Sequence, residues 1–191
     1  LSKTDIEKRI PPALLAGLPI SFETIPTIYR QANKYQKSPR RSMLTEETAP
    51  KTFHSTTPLL LESGEALHQW ELAYHTSGRL NEDGSNVVWI CHALTANSDP
   101  FSWWDGLVGE GRFFDPAEHF IVCANMLGSC YGSTNALSTN PETGAPYYHA
   151  FPNVTVRDMA KAFDRLRLHL GIEKIHTLIG GSMGGQQALE W

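Results

Sequence analysis

From Thr57 onward, apolar and polar residues fall into short patterned blocks. "VVWICH" (87–92), "HFIVCAN" (119–125) and "IHTLIG" (175–180) each hold a nearly continuous apolar stretch of strand length. Such runs suit strands covered on both faces, as in a parallel sheet between helices. Between the second and third, Val156, Met159, Ala160, Phe163, Leu166 and Leu170 recur at helical spacing, which gives a helix one apolar face. Thr155 stands at the cap position, Asp158 follows in a capping-box arrangement, and Gly171 supplies the stop. Strand, helix, strand in that order predicts a crossover unit. Upstream, "TPLLLESGEALHQWELAYHTSG" predicts two strands joined by a turn at Ser63-Gly64. The second of them alternates Leu67, Gln69 and Glu71 against His68, Trp70, Leu72 and Tyr74. "LNEDGSN" is a turn cluster, sharpest at Asp83-Gly84. The fold class implied is α/β.

Two regions lack a regular pattern. Residues 126–154 are rich in Gly, Asn and Ser, with Tyr131, Tyr147, Tyr148 and Phe151 interspersed. A loop this long inside a compact domain is usually functional, so it is expected to be ordered and to line something. Residues 1–53 are expected to form a basic, flexible extension with one short helix, and 54–191 the domain. Through Lys51 there are nine Lys or Arg against five Asp or Glu. The formal net charge of the whole chain is −4, so the remainder is acidic. A solvated leader accounts for the basic segment more simply than a docking or nucleic-acid tail.

The overall balance is globular, and nothing global points to nucleic acid or an anionic membrane. "PALLAGLPI" near the start is too short to span a bilayer. Cys91, Cys123 and Cys130 are an odd number at no metal-like spacing, so neither a disulfide framework nor a metal site is expected. That suits a reducing, cytoplasmic compartment. The chain does not begin with Met and stops inside an expected helix, so a fragment is expected.

The chemistry concentrates near the end. Gly180-Gly181-Ser182-Met183-Gly184 fits G-x-S-x-G, after an apolar run and before "QQALEW". A nucleophile on a strand-to-helix turn needs glycines two residues to either side, because side chains there would meet each other and the adjacent strand. The turn exposes the hydroxyl and aims the first helix amides at it, Met183 N–H among them. A tight turn without chemistry remains the alternative. "CHALTANSD" follows the 87–91 strand, where a second oxyanion donor comes from the amide of Ala93 or Leu94. His92 is either a base or, more simply, a residue that orders its loop, since the usual order places the base after the serine. Trp103 and Trp104 serve packing more simply than substrate contact.

"CHALTANSDPFSWWDGLVGEGRFFDPAEHFIVCANMLGSCYGSTN", followed by "VTVRDMAKAFDRLRLHLGIEKIHTLIGGSMGGQQALEW", resembles the homoserine O-acetyltransferases, α/β-hydrolase-fold enzymes of methionine biosynthesis. The resemblance covers 57–191 and implies an α/β-hydrolase fold truncated after the nucleophile elbow. It implies Ser182 as nucleophile and the backbone N–H groups of Leu94 and Met183 as oxyanion donors. It implies acetyl-CoA as co-substrate with no bound cofactor, L-homoserine as acceptor, and a homodimer at full length. The family's Asp and His of the triad fall beyond residue 191, and none of the eight histidines follows Ser182. A fragment without them is expected to be inactive alone. Ala96-Asn97 stand where the family often reads Gly-Asp, which leaves succinyl transfer and serine as acceptor open. An esterase on the same fold and a non-catalytic binding module are the rival readings.

Overall fold

The computed structural model describes residues 49–191, so the short helix and the flexibility expected of the extension before residue 49 lie outside the described residues. Five strands form one sheet: β1 (Lys51–Ser55), β4 (Trp70–Ser77), β5 (Val87–Cys91), β6 (Phe120–Ala124) and β7 (Thr177–Gly180), in the order β1-β4-β6-β5-β7. β1 with β4 and β4 with β6 are antiparallel; β5 lies parallel to both β6 and β7. The crossover expected from the sequence therefore runs from β6, through α2 (Val156–His169), to β7 on the far side of β5. Burial follows position. Every residue of β5 is buried, because it has a strand on each side and packing on both faces. β7 is only half-buried, with one strand neighbour among the described residues.

Two expectations are corrected. The domain boundary at 53/54 falls inside β1, whose Phe53 is buried and meets Trp70 edge-on at 5.5 Å between ring centroids. Lys51, Thr52 and His54 hide this strand in the sequence, since it takes its order from pairing with β4 rather than from a local apolar pattern. The two strands expected around Ser63-Gly64 become a short hairpin, β2 (Leu59–Leu60) with β3 (Ala66–Leu67), followed by a break and then β4. The turn is where it was expected, with Gly64 at φ 88° and Leu61 N–H bonded to the Glu65 carbonyl at 2.9 Å.

α2 carries the expected capping box, with Thr155 Oγ1 accepting from Asp158 N–H and Asp158 Oδ2 accepting from Thr155 N–H. The same carboxylate does more than cap. It is fully buried, accepts the Glu62 N–H at 3.1 Å, and meets Lys161 Nζ at 3.2 Å. It thus pins the β2–β3 hairpin onto the helix start. Asp158→Ala keeps the Thr155 cap but removes the reciprocal half of the capping box and leaves the Glu62 and Thr155 amides without their partner, a loss of about 2 kcal/mol from two unmade bonds. A urea titration should show the midpoint fall with the slope unchanged. An unchanged midpoint would remove Asp158 from this role.

Residues 126–154 are ordered by their own bonds. Gly128 N–H bonds the Thr134 carbonyl, Tyr147 N–H the Ser138 carbonyl, and Asn140 N–H the Ala145 carbonyl, with one 3-10 turn at Tyr148–Ala150. α1 (Pro100–Trp103) is a single turn capped by Asp99. Trp103 and Trp104 stack at 5.1 Å and pack, partly buried, on the cluster of Val88, Ile90, Val108, Phe114, Ile121 and Cys123. That is the packing role expected of them.

Candidate active site

Ser182 sits between β7 and α3 (Met183–Glu190), as the helix N-cap, with φ 56° and ψ −125°. A left-handed φ is unfavourable for a residue with a Cβ, and such strain persists only where the surroundings enforce it. The enforcing contacts come from the two flanking glycines. A Cβ on Gly180 would lie 2.3 Å from the Gly184 carbonyl oxygen and 2.9 Å from that of Cys91. A Cβ on Gly184 would lie 2.0 Å from the Cys91 oxygen and 2.8 Å from that of His92. Both collisions expected from the motif, glycine against glycine and glycine against the adjacent strand, are present. Gly181, by contrast, has nothing within 4 Å of a built Cβ. The turn is tight toward the sheet and open toward solvent, and Ser182 is exposed.

The next amides of the helix are bonded to the carbonyls of the elbow itself. Gly184 N–H bonds the Gly181 carbonyl, and Gly185 N–H the Ser182 carbonyl, each at 3.0 Å. Met183, at the first helical position, has an amide that no intrahelical carbonyl can reach. Its side chain packs against the main core. Leu94 lies three residues past Cys91, on the loop that leaves β5 where β5 abuts Gly184. Its side chain is 61% exposed. The sheet thus brings Ser182 and Met183 together on one turn and sets the loop of Leu94 beside that turn.

His92 is shut away from solvent at the start of its loop. It is buried, and its Nδ1 donates to the Ala93 carbonyl at 2.8 Å, which leaves Nε2 as the lone-pair nitrogen. Burial pushes its pKa down, while the Ala93 carbonyl and the Asn125 side chain pull the other way. The ring orders the start of its loop, as the simpler expectation had it. Asn97 does similar work with its main chain and side chain. Its Oδ1 accepts the Asp99 N–H at 2.8 Å and its carbonyl accepts Trp103 Nε1–H at 3.0 Å.

Sequence reasoning passed over the polar residues behind this loop. Ser98, Asn125, Ser133 and Thr134 are all buried. The available signal was an asparagine closing an apolar run, directly before a Gly- and Ser-rich segment. Among the described residues, no group of three or more His, Cys, Asp or Glu could hold a metal ion. No described helix is long and apolar enough to cross a membrane.

Burial keeps the two buried thiols protonated. Burial pushes Cys91 from the usual 9.0 up to about 12, and Cys123 is also raised, chiefly by burial. An unfolded Cys91 ionises near 9 while the folded one keeps its proton. Its contribution to stability is therefore full below pH 9 and is lost as pH rises from there to about 12. Urea midpoints measured from pH 8 to pH 11 should fall, and Cys91→Ala should flatten that decline. An equal decline in the variant would assign it elsewhere.

A family model described as alpha/beta hydrolase fold matches residues 86–191. The chain is 56% identical over 148 residues to the homoserine O-acetyltransferase of Cyclobacterium marinum, an alignment covering 78% of this chain and 42% of that protein. Among solved structures, the homoserine O-acetyltransferase from Bacillus anthracis superposes with a TM-score of 0.69 at 31% identity, covering 74% of this chain and 42% of that one. Esterase E22 superposes with a TM-score of 0.67 at 29% identity, with the same coverage. The chain spans about two fifths of the length of the curated relatives it matches.

Proposed function

The chain belongs to the alpha/beta hydrolase fold family, and from that premise we propose that it carries the nucleophile and oxyanion donors of an acyltransferase that moves an acetyl group from acetyl-CoA to L-homoserine. The observation that carries the chemistry is the left-handed Ser182 turn, wedged by Gly180 and Gly184 against the Cys91 carbonyl. Similarity to homoserine O-acetyltransferases across 78% of the chain supports the substrates. The reaction is assigned to the full-length protein, because the resemblance puts the Asp and His of the triad outside these residues.

Ser182 Oγ attacks the thioester carbonyl carbon and gives its proton to the histidine. The carbonyl oxygen gains the negative charge, and the amides of Leu94 and Met183 stabilise it. As the oxyanion collapses, the carbon–sulfur bond breaks, CoA leaves as a thiol with that proton, and an acetyl ester of Ser182 remains. The homoserine hydroxyl then attacks this ester, loses its proton to the histidine, and Ser182 regains one. Water must be kept away meanwhile, or the ester is hydrolysed. Three free cysteines, two of them buried, support a cytoplasmic setting. The homodimer rests on the resemblance alone.

A second reading is favoured by one finding. Esterase E22 fits the chain nearly as well as the B. anthracis acetyltransferase, so an esterase on this scaffold is the rival. The discriminating experiment incubates the full-length protein with acetyl-CoA and homoserine and analyses the products by mass spectrometry. O-acetylhomoserine is expected. Free acetate alone would replace the transferase by the hydrolase. Failure of Ser182 to react with a fluorophosphonate would favour a non-catalytic binding module.

A further inference from the structure

We propose that Asn125 is a positioning residue for the oxyanion site, holding the loop that carries the Leu94 amide by clamping Ser98 to the turn at Tyr131. The inference rests on the reading of Ser182 as an acyl-accepting nucleophile. Asn125 follows β6 directly and is 1% exposed. Its main chain is bonded on both sides: the N–H to the Ala73 carbonyl at 2.8 Å, and the carbonyl to Ser133 Oγ–H at 2.7 Å. Its side-chain amide spends both hydrogens. One goes to Ser98 Oγ at 3.0 Å and the other to the Tyr131 carbonyl at 2.6 Å. Both partners accept there, so the amide cannot be turned over. Its Oδ1 is buried with no hydrogen-bond partner, as is His92 Nε2. The Asn125 side chain lies close enough to the His92 ring to act on it.

His92 and Ser98 bracket residues 93–97. One end of the loop thus lies against Asn125 and the other is bonded to it, while Cys91, just before the loop, rests on Gly184. The span between is stiffened by Ala96 N–H to the Ala93 carbonyl at 3.0 Å. Leu94 itself contributes little to holding the loop, because its side chain is mostly in solvent. The position of its amide must come from the bracket. Ser98 is also tied outward, its Oγ 2.8 Å from His75 Nδ1 on β4. An oxyanion donor works only within a few tenths of an ångström of its ideal distance. Loosening the Asn125 end therefore moves Leu94 relative to Ser182 without touching either.

The test uses the full-length protein with p-nitrophenyl acetate, whose attack by Ser182 needs the oxyanion donors but no acceptor. Asn125→Ala should lower kcat per fluorophosphonate-titrated site by about 10- to 100-fold, below the full loss of one donor. KM should stay within about twofold, since ground-state binding does not use these donors. A kcat within about threefold of the parent would overturn the proposal, because a merely structural residue lowers the number of titratable sites and not the rate of each. If Asn125→Ala does not fold, Ser98→Ala carries the test. Hydrogen exchange at the Ala96 amide, which is bonded to the Ala93 carbonyl within the loop, followed in the same variant without substrate, should quicken by about tenfold or more as the loop opens locally. Unchanged exchange would overturn the proposal. A protein that hydrolyses p-nitrophenyl acetate but never acetylates homoserine would sink the acceptor reading and leave this test readable.

Discussion

Ser182→Ala in the full-length protein should lower acetyl transfer on the order of 10⁶-fold, the loss seen when the nucleophile of a serine–histidine–aspartate unit is removed. The size follows from what the hydroxyl does. It alone makes the covalent bond that divides one hard displacement into two easier ones. The oxyanion donors and substrate binding stay in place, so a small residual rate above that in water remains. The elbow should also relax slightly in stability, not collapse, because alanine and serine are nearly the same size at a strained position. CoA release measured with a thiol reagent reads the rate. Intact mass of the parent, quenched during turnover without homoserine, should show one added acetyl group that the variant lacks. A variant that turns over within about tenfold of the parent would deny Ser182 any covalent role.

Gly184→Ala should be the most destabilising single methyl in the elbow, whereas Gly181→Ala should be nearly silent. At Gly184 the new carbon would sit 2.0 Å from the Cys91 oxygen, 2.6 Å from its carbonyl carbon and 2.8 Å from the His92 oxygen. All three are main-chain atoms of β5 and its exit, so no side chain can swing aside. Relief requires separating β7 and α3 from β5. A loss of about 3 kcal/mol or more is expected, at the upper end of overpacking. At Gly181 the methyl enters open space, and the change should stay within about 0.5 kcal/mol. Thermal melts of the two variants side by side give the comparison. Equal melting temperatures would mean that the elbow is not wedged on β5 as described.

The sequence made the local parts of this architecture readable. The Val156–Leu170 stripe and the Thr155–Asp158 box specify α2 because both rest on residues within a turn of each other. The G-x-S-x-G spacing is equally local, and the turn that it demands is there. What was hidden depends on partners far along the chain. β1 is a strand because β4 pairs with it, not because Lys51, Thr52 and His54 prefer one. Asn125 looked like the end of an apolar run. Its importance lies in bonds to Ala73, Ser98, Tyr131 and Ser133, the first two of which sit on other segments. The second role of Asp158, holding the hairpin at Glu62, joins residues 96 apart. Periodicity reports which face of an element is buried, and it carries no record of which polar atoms meet across the fold.

The register that sets Cys91 opposite Gly180 also bears on how quickly the protein acquires reactivity. Those two positions are separated by roughly ninety residues, and bringing such distant segments together in parallel is among the slow events of chain assembly. The strained serine has nothing to brace it until that closure is complete. Ser182 is therefore held in its strained turn only once β5 and β7 have paired.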